Sequence, residues 1–101
     1  AHITGGGLTD NVPRVLPPGT SAVIDLDRWR LPPLFDLLKR KGDISRDEML
    51  RTFNVGVGMV LMVAAEDLDA VRAKLHQVGE APVVLGKIVD GSGEVIYEGS
   101  L

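Results

Sequence analysis

Residues 1–17 read AHITGGGLTDNVPRVLP, and the three consecutive glycines in this stretch constrain the chain more than any other feature. Glycine loses more backbone freedom on ordering than any other residue, so a GGG makes a poor strand and a worse helix interior. Two circumstances offset that loss: another backbone or a ligand comes too close for a Cβ, or successive N–H groups converge on an anion. Thr9 and Asp10 are good N-caps and Pro13 is tolerated in a first turn, so a short helix is predicted to begin just after Gly7. Its free N–H groups would point back at the glycines, where the helix dipole favours a phosphate, and Arg14 could add a bidentate contact. On pattern alone the triplet also reads as a surface turn and His2 as a solvated or packed imidazole.

At 101 residues the chain makes at most one domain. Net charge is −3 and the pI is near 5.2, which leaves no electrostatic footprint for nucleic acid or an anionic membrane. Most Lys and Arg residues lie in 28–51, but acids are interspersed among them, as on a solvated helical face. There is no cysteine, hence no disulfide framework and no thiolate metal site. The longest apolar run, 55–65, is about half a membrane span, and the start carries no secretory pattern.

Punctuation and periodicity divide the rest. Pro17-Pro18-Gly19 stops regular structure, and 21–26 reads as a strand. Pro32 and Pro33 open a helix with an apolar stripe at Leu34, Leu37 and Leu38, ending in Lys39, Arg40 and Lys41 before Gly42. Ser45-Arg46-Asp47-Glu48 is a capping box for a helix over 46–53 that turns Met49, Leu50 and Phe53 inward. Residues 55–65, VGVGMVLMVAA, read as a central strand buried on both faces, with Gly56 and Gly58 hollowing one of them. Leu68, Val71, Leu75 and Val78 stripe a last helix closed by Gly79, with His76 off the stripe. Strands 83–89 and 94–98 flank Asp90-Gly91-Ser92-Gly93, a hairpin signal. Four strands of mixed connection and four helices predict an α+β fold, an open mixed β-sheet with helices packed on its faces.

The opening block, followed by MLRTFNVGVGMVL at 49–61 and joined by AVIDLDRW, resembles the phosphoribosylformylglycinamidine cyclo-ligase (AIR synthetase) family. The resemblance covers essentially all 101 residues and falls in the later part of that family's C-terminal domain. It implies an ATP-dependent ring closure in purine biosynthesis, formylglycinamidine ribonucleotide to aminoimidazole ribonucleotide. It further implies that 1–101 is a fragment, preceded in the family by an N-terminal ATP-binding domain that handles ATP and Mg²⁺. The family's working unit is a cytoplasmic homodimer, so the remainder of the enzyme is an expected partner, and an uncovered strand edge or sheet face is expected here.

Carried over by position, the substrate phosphate falls to Gly5, Gly6 and Gly7 with Thr4 and Arg14. His2 becomes the candidate for proton transfer or for polarising the amide, since imidazole titrates nearest neutral pH. Asn11 and Asn54 become candidate hydrogen-bonders to the glycinamidine or ribose, with Gly56 and Gly58 admitting the substrate to the sheet. No Walker-type GxxxxGK[ST] and no acidic pair of Mg²⁺-site character is present, so no metal ligand is assigned and no turnover is expected from these residues alone. Two alternatives stay open: another member of the same ATP-dependent superfamily, of thiamine-monophosphate kinase or selenide-water dikinase type, or a non-catalytic phosphate-binding domain.

Overall fold

Ser21, Ala22, Ile24 and Leu26 are buried along one short segment of chain, and the sheet forms around it. The computed structural model describes all of residues 1–101. Strand β1, Thr20–Asp25, is the centre of a three-stranded mixed sheet. On one side β2, Gly86–Asp90, runs antiparallel to it with Ala22 opposite Ile88; on the other β3, Val95–Glu98, runs parallel with Ala22 opposite Val95. Four helices accompany the sheet: α1 Gly7–Asn11, α2 Pro33–Gly42, α3 Arg46–Thr52 and α4 Leu68–Gln77. The fold is therefore α+β with an open mixed sheet, as the sequence predicts, but one strand is missing.

The missing strand is 55–65. Val57 N–H donates to Asn54 O at 2.9 Å across a tight turn in which Val55 and Gly56 both take positive φ, 49° and 93°. Beyond it a single antiparallel bridge joins Met59 to His2, and the apolar residues after Val60 join no strand. A central strand needs a neighbour on each edge, and the only chain alongside this one is 1–3, which pairs with 58–60. Gly56 and Gly58 consequently do not share the face of a sheet strand.

The hairpin is also absent, because β1 lies between the two strands that were expected to pair. Residues 91–94 arch over the start of β1, with Gly91 N–H on Gly19 O at 3.0 Å and Gly93 N–H on Thr20 O at 2.9 Å. A Cβ on Gly91 would stand 2.0 Å from Ser21 Oγ, so the arch needs glycine at that point. Ser21 Oγ, fully buried, donates to Glu94 Oε1 at 3.0 Å, and Ser92 Oγ donates to Glu94 Oε2 at 2.5 Å. These donors hold the Glu94 carboxyl below the usual carboxylate range.

Helices follow their sequence signals more closely. In α3 the Ser45 Oγ accepts from Glu48 N–H at 3.2 Å, but the Glu48 carboxylate accepts from Thr52 Oγ1 instead of closing the capping box. Met49 and Leu50 are fully buried as the pattern requires. The stripe on α2 differs: Leu34, Leu37 and Leu38 face solvent, and it is Phe35 that packs, its ring 5.8 Å from that of Phe53. In α4, Leu68, Val71 and Leu75 are half-buried while Val78 is exposed, and His76 is exposed as predicted. The core joins Ile3, Leu8, Val12, Ala22, Ile24, Leu26, Met49, Leu50 and Val55, each large side chain contributing roughly 1.5–3 kcal/mol on burial. No helix is long and apolar enough to cross a membrane.

Candidate functional site

The three glycines do three different things. At Gly7, the first residue of α1, a Cβ would stand 2.0 Å from Leu50 O and 2.7 Å from Phe53 O, so glycine is what lets α1 lie against the end of α3. Gly6 has φ +98° and forms the N-cap of α1, in place of the Thr9 or Asp10 expected there, and a Cβ would meet the Asp10 side chain at 2.7 Å. Gly5 has neither demand upon it: its φ is not positive, a Cβ would find nothing within 4 Å, and it is exposed. Packing accounts for Gly7 and the turn for Gly6; neither accounts for Gly5.

Asn11 explains the shape of the loop. Its side chain is 3% exposed, and its amide nitrogen donates towards the carbonyls of Thr4 at 3.2 Å, Gly5 at 3.3 Å and Gly7 at 2.8 Å. Its Oδ1 accepts from Thr4 Oγ1 at 3.2 Å. One buried amide thus gathers the loop's carbonyls inward, while the N–H groups of Gly5 and Gly6 donate to no acceptor within the chain. That leaves a backbone edge of open donors, which is what a nest for an anion requires. The Asp10 carboxylate beside Gly6 places a like charge against any anion there, so Gly5 is the open side of the loop.

Thr9 sits inside α1 and not at its cap. Its hydroxyl points at Leu50 O at 3.4 Å and lies 2.8 Å from the Tyr97 hydroxyl, tying α1 to both α3 and β3. Burial pushes the Tyr97 phenol up from its ordinary value, opposed by the bond to Thr9. Neither Thr9 nor Tyr97 carried any signal as a site residue, since their meeting spans 88 positions of sequence.

The remaining candidates divide. His2 is exposed and its backbone bridges Met59, while Gly58 O accepts from Ile3 N–H at 2.9 Å. Gly58 resembles Gly5 in that a Cβ there meets nothing within 4 Å and its φ is not positive; Gly58 lies in the short ladder and Gly5 two residues beyond its other strand. Gly56 is a turn glycine whose Cβ would strike the Pro32 ring at 2.6 Å. Asn54 Oδ1 accepts from Gly56 N–H at 2.8 Å, and Trp29 Nε1 donates to Val55 O at 3.0 Å, so both side chains hold that turn. Arg14 is exposed on a 3-10 turn, Pro13–Val15, and makes no ion pair. Two shallow hollows lie elsewhere, one beside Trp29 and Leu101 and one between Met62 and Val71.

The profile of the AIR synthase related protein, C-terminal domain, matches residues 1–98. Phosphoribosylformylglycinamidine cyclo-ligase of Neisseria gonorrhoeae (strain ATCC 700825 / FA 1090) is 56% identical over 93 residues, 92% of this chain and 27% of that protein. The protein of the same name from Brevibacillus brevis (strain 47 / JCM 6285 / NBRC 100599) is 47% identical over 98 residues, 97% of this chain and 28% of that one. The chain spans a little over a quarter of the length of these curated relatives.

Proposed function

The chain belongs to the AIR synthase related protein family, as part of its C-terminal domain, and from that premise we propose that it is part of an ATP-dependent cyclo-ligase of purine biosynthesis. In the proposed reaction ATP phosphorylates the formyl amide oxygen of formylglycinamidine ribonucleotide and leaves as ADP, an amidine nitrogen attacks the activated carbon, and phosphate leaves as aminoimidazole ribonucleotide forms. A C–N bond closes the ring and a C–O bond breaks. The part assigned to these residues is to hold the substrate's ribose phosphate, with N–H donors of the glycine loop facing the anion and Arg14 supplying charge.

His2 and Gly58 belong to the same short ladder, and His2 is proposed as the group that moves the proton of the attacking nitrogen, with Asn54 as a hydrogen-bonder to the substrate. ATP and Mg²⁺ are assigned to polypeptide of the full-length enzyme beyond this domain. No three His, Asp or Glu side chains gather in the chain, and no metal ligand is assigned to these residues in the proposal. Homodimer assembly and a cytoplasmic setting belong to the same proposal for the complete enzyme.

The observation that carries the reading is Gly5: a glycine that packing and turn geometry leave unexplained, whose N–H stands open beside a carbonyl-lined turn closed by Asn11. Titration of the chain with ribose 5-phosphate, followed by amide chemical shifts, tests it. Saturation with a Kd on the order of 1 mM is expected, centred on Gly5 and Gly6. Gly5→Asp should abolish it without lowering the melting temperature, and Asp10→Asn should tighten it. Absence of saturable shifts, or identical titration of wild type and Gly5→Asp, would reject the phosphate site. Turnover of formylglycinamidine ribonucleotide by these residues alone would reject the division of labour.

A further inference from the structure

Residues 1–3 and 58–60 form a short antiparallel ladder. Ile3 N–H donates to Gly58 O at 2.9 Å, Val60 N–H to Ala1 O at 2.8 Å, and the Ala1 ammonium to Val60 O at 2.7 Å. Ala1 and Val60 are thus a hydrogen-bonded pair, and alternation along an antiparallel edge makes Met62 the next residue to offer both N–H and C=O on that side. The N–H groups of Leu61, Met62 and Val63 donate to nothing in the chain. Side chains alternate too: Met59, Leu61 and Val63 are 61%, 55% and 40% exposed, while Val60 and Met62 rest against the core. Residues 59–63 thus carry the side-chain alternation of a strand with one covered face, and their backbone edge is bare.

We infer that residues 61–64 are a strand-docking edge whose occupant is polypeptide running into Ala1 from its N-terminal side, antiparallel and in the register already fixed by the Ala1–Val60 pair. The ladder runs out only where Ala1 does, so extending it needs no change of direction or register. Continuous chain would also replace the Ala1 ammonium by an ordinary strand amide making the same bond to Val60 O. Relatives of the chain carry nearly three quarters of their length outside the matched segment, which falls in their C-terminal domain, so such polypeptide exists in them. A second copy offers no such continuity. The inference is independent of the phosphate site.

Residue-resolved amide exchange tests it, on the chain alone and on the chain extended at Ala1 by the eight residues that align ahead of it in the Neisseria gonorrhoeae relative. Met62 N–H is expected to exchange about tenfold or more slowly in the extended chain, whereas Leu61 and Val63, whose N–H groups point to the opposite edge, stay fast. Proline at the second added residue counted back from Ala1 lacks the N–H that would meet Met62 O, and should restore fast exchange. The same eight residues added in excess as a free peptide should reproduce the alternating pattern more weakly, so the reading does not depend on how the extended chain folds. Unchanged Met62 exchange in both formats overturns the inference, as does equal slowing at Leu61, Met62 and Val63. Protection of Met62 that grows with concentration of the unextended chain assigns the edge to a second copy and overturns the proposed occupant.

Discussion

Residues 49–55 and 57–63 are neighbouring stretches with opposite fates, although the second is the more apolar. In the first, Met49, Leu50 and Val55 are completely excluded from solvent; in the second, Met59, Leu61 and Val63 are exposed. All twelve buried residues of the chain lie at or before Val55, and none lies beyond it. The difference is in neighbours. Residues 49–55 meet α1, brought within backbone contact by Gly7, and the buried side chains of β1. The segment 57–63 has three residues of chain along one edge and none along the other. Apolar sequence makes a core only where other elements arrive to cover it, because burial and not composition carries the free energy.

The largest test of this contrast is Gly7→Ala. A Cβ driven into Leu50 O and Phe53 O, at a residue with φ +60°, should lower unfolding free energy by about 3 kcal/mol or more. Leu61→Ala, by comparison, should change it by no more than about 0.5 kcal/mol. Urea denaturation of the two variants side by side decides, and similar losses would break the contrast.

Smaller, and confined to the first region, is Asn11→Ala. Loss of the buried amide removes its bonds to the Thr4, Gly5 and Gly7 carbonyls and should lower stability by about 1–3 kcal/mol, with faster amide exchange through the glycine loop and unchanged exchange in α4. Equal acceleration in both would mean that the loop and α4 open together.

The least effect is expected from acid. The Glu94 carboxyl is held low by Ser92 and Ser21, so its contribution is present above the ordinary carboxylate range and is lost as pH falls through its depressed folded value. The 91–94 arch should therefore loosen below about pH 4, and Glu94→Gln should remove that part of the pH dependence. Side-chain and amide shifts of Ser21 and Gly93 followed from pH 6 to pH 2 measure it, and an identical acid response in the variant would show that another group is responsible.

Much of the local structure was legible. The α3 cap at Ser45, the inward Met49 and Leu50, the stop at Pro17-Pro18-Gly19 and the strand near Ala22 follow from periodicity and capping, which involve residues a few positions apart. The glycine loop was visible as special, but its division into a packing glycine, a turn glycine and an open one was not. That division depends on Leu50, Asp10 and empty space, and only the last two are matters of local sequence or its absence. Asn11 read as a ligand-facing polar residue in sequence; in the fold its amide is occupied with Thr4, Gly5 and Gly7. The hairpin reading failed because pairing was inferred from adjacency, and nothing near Asp90 announces that β1 will occupy the space between β2 and β3.

The amino-acid sequence by itself determined the family, the helices with marked ends, the strand-forming segments and the unusual opening loop, because each is written in residue types within a turn or a strand of one another. Tertiary structure alone decided which apolar segments became core, which strands became neighbours and which glycine was left open. Those outcomes depend on contacts between residues far apart in the chain, such as Thr9 with Tyr97 and Gly7 with Leu50, and such contacts leave no local trace.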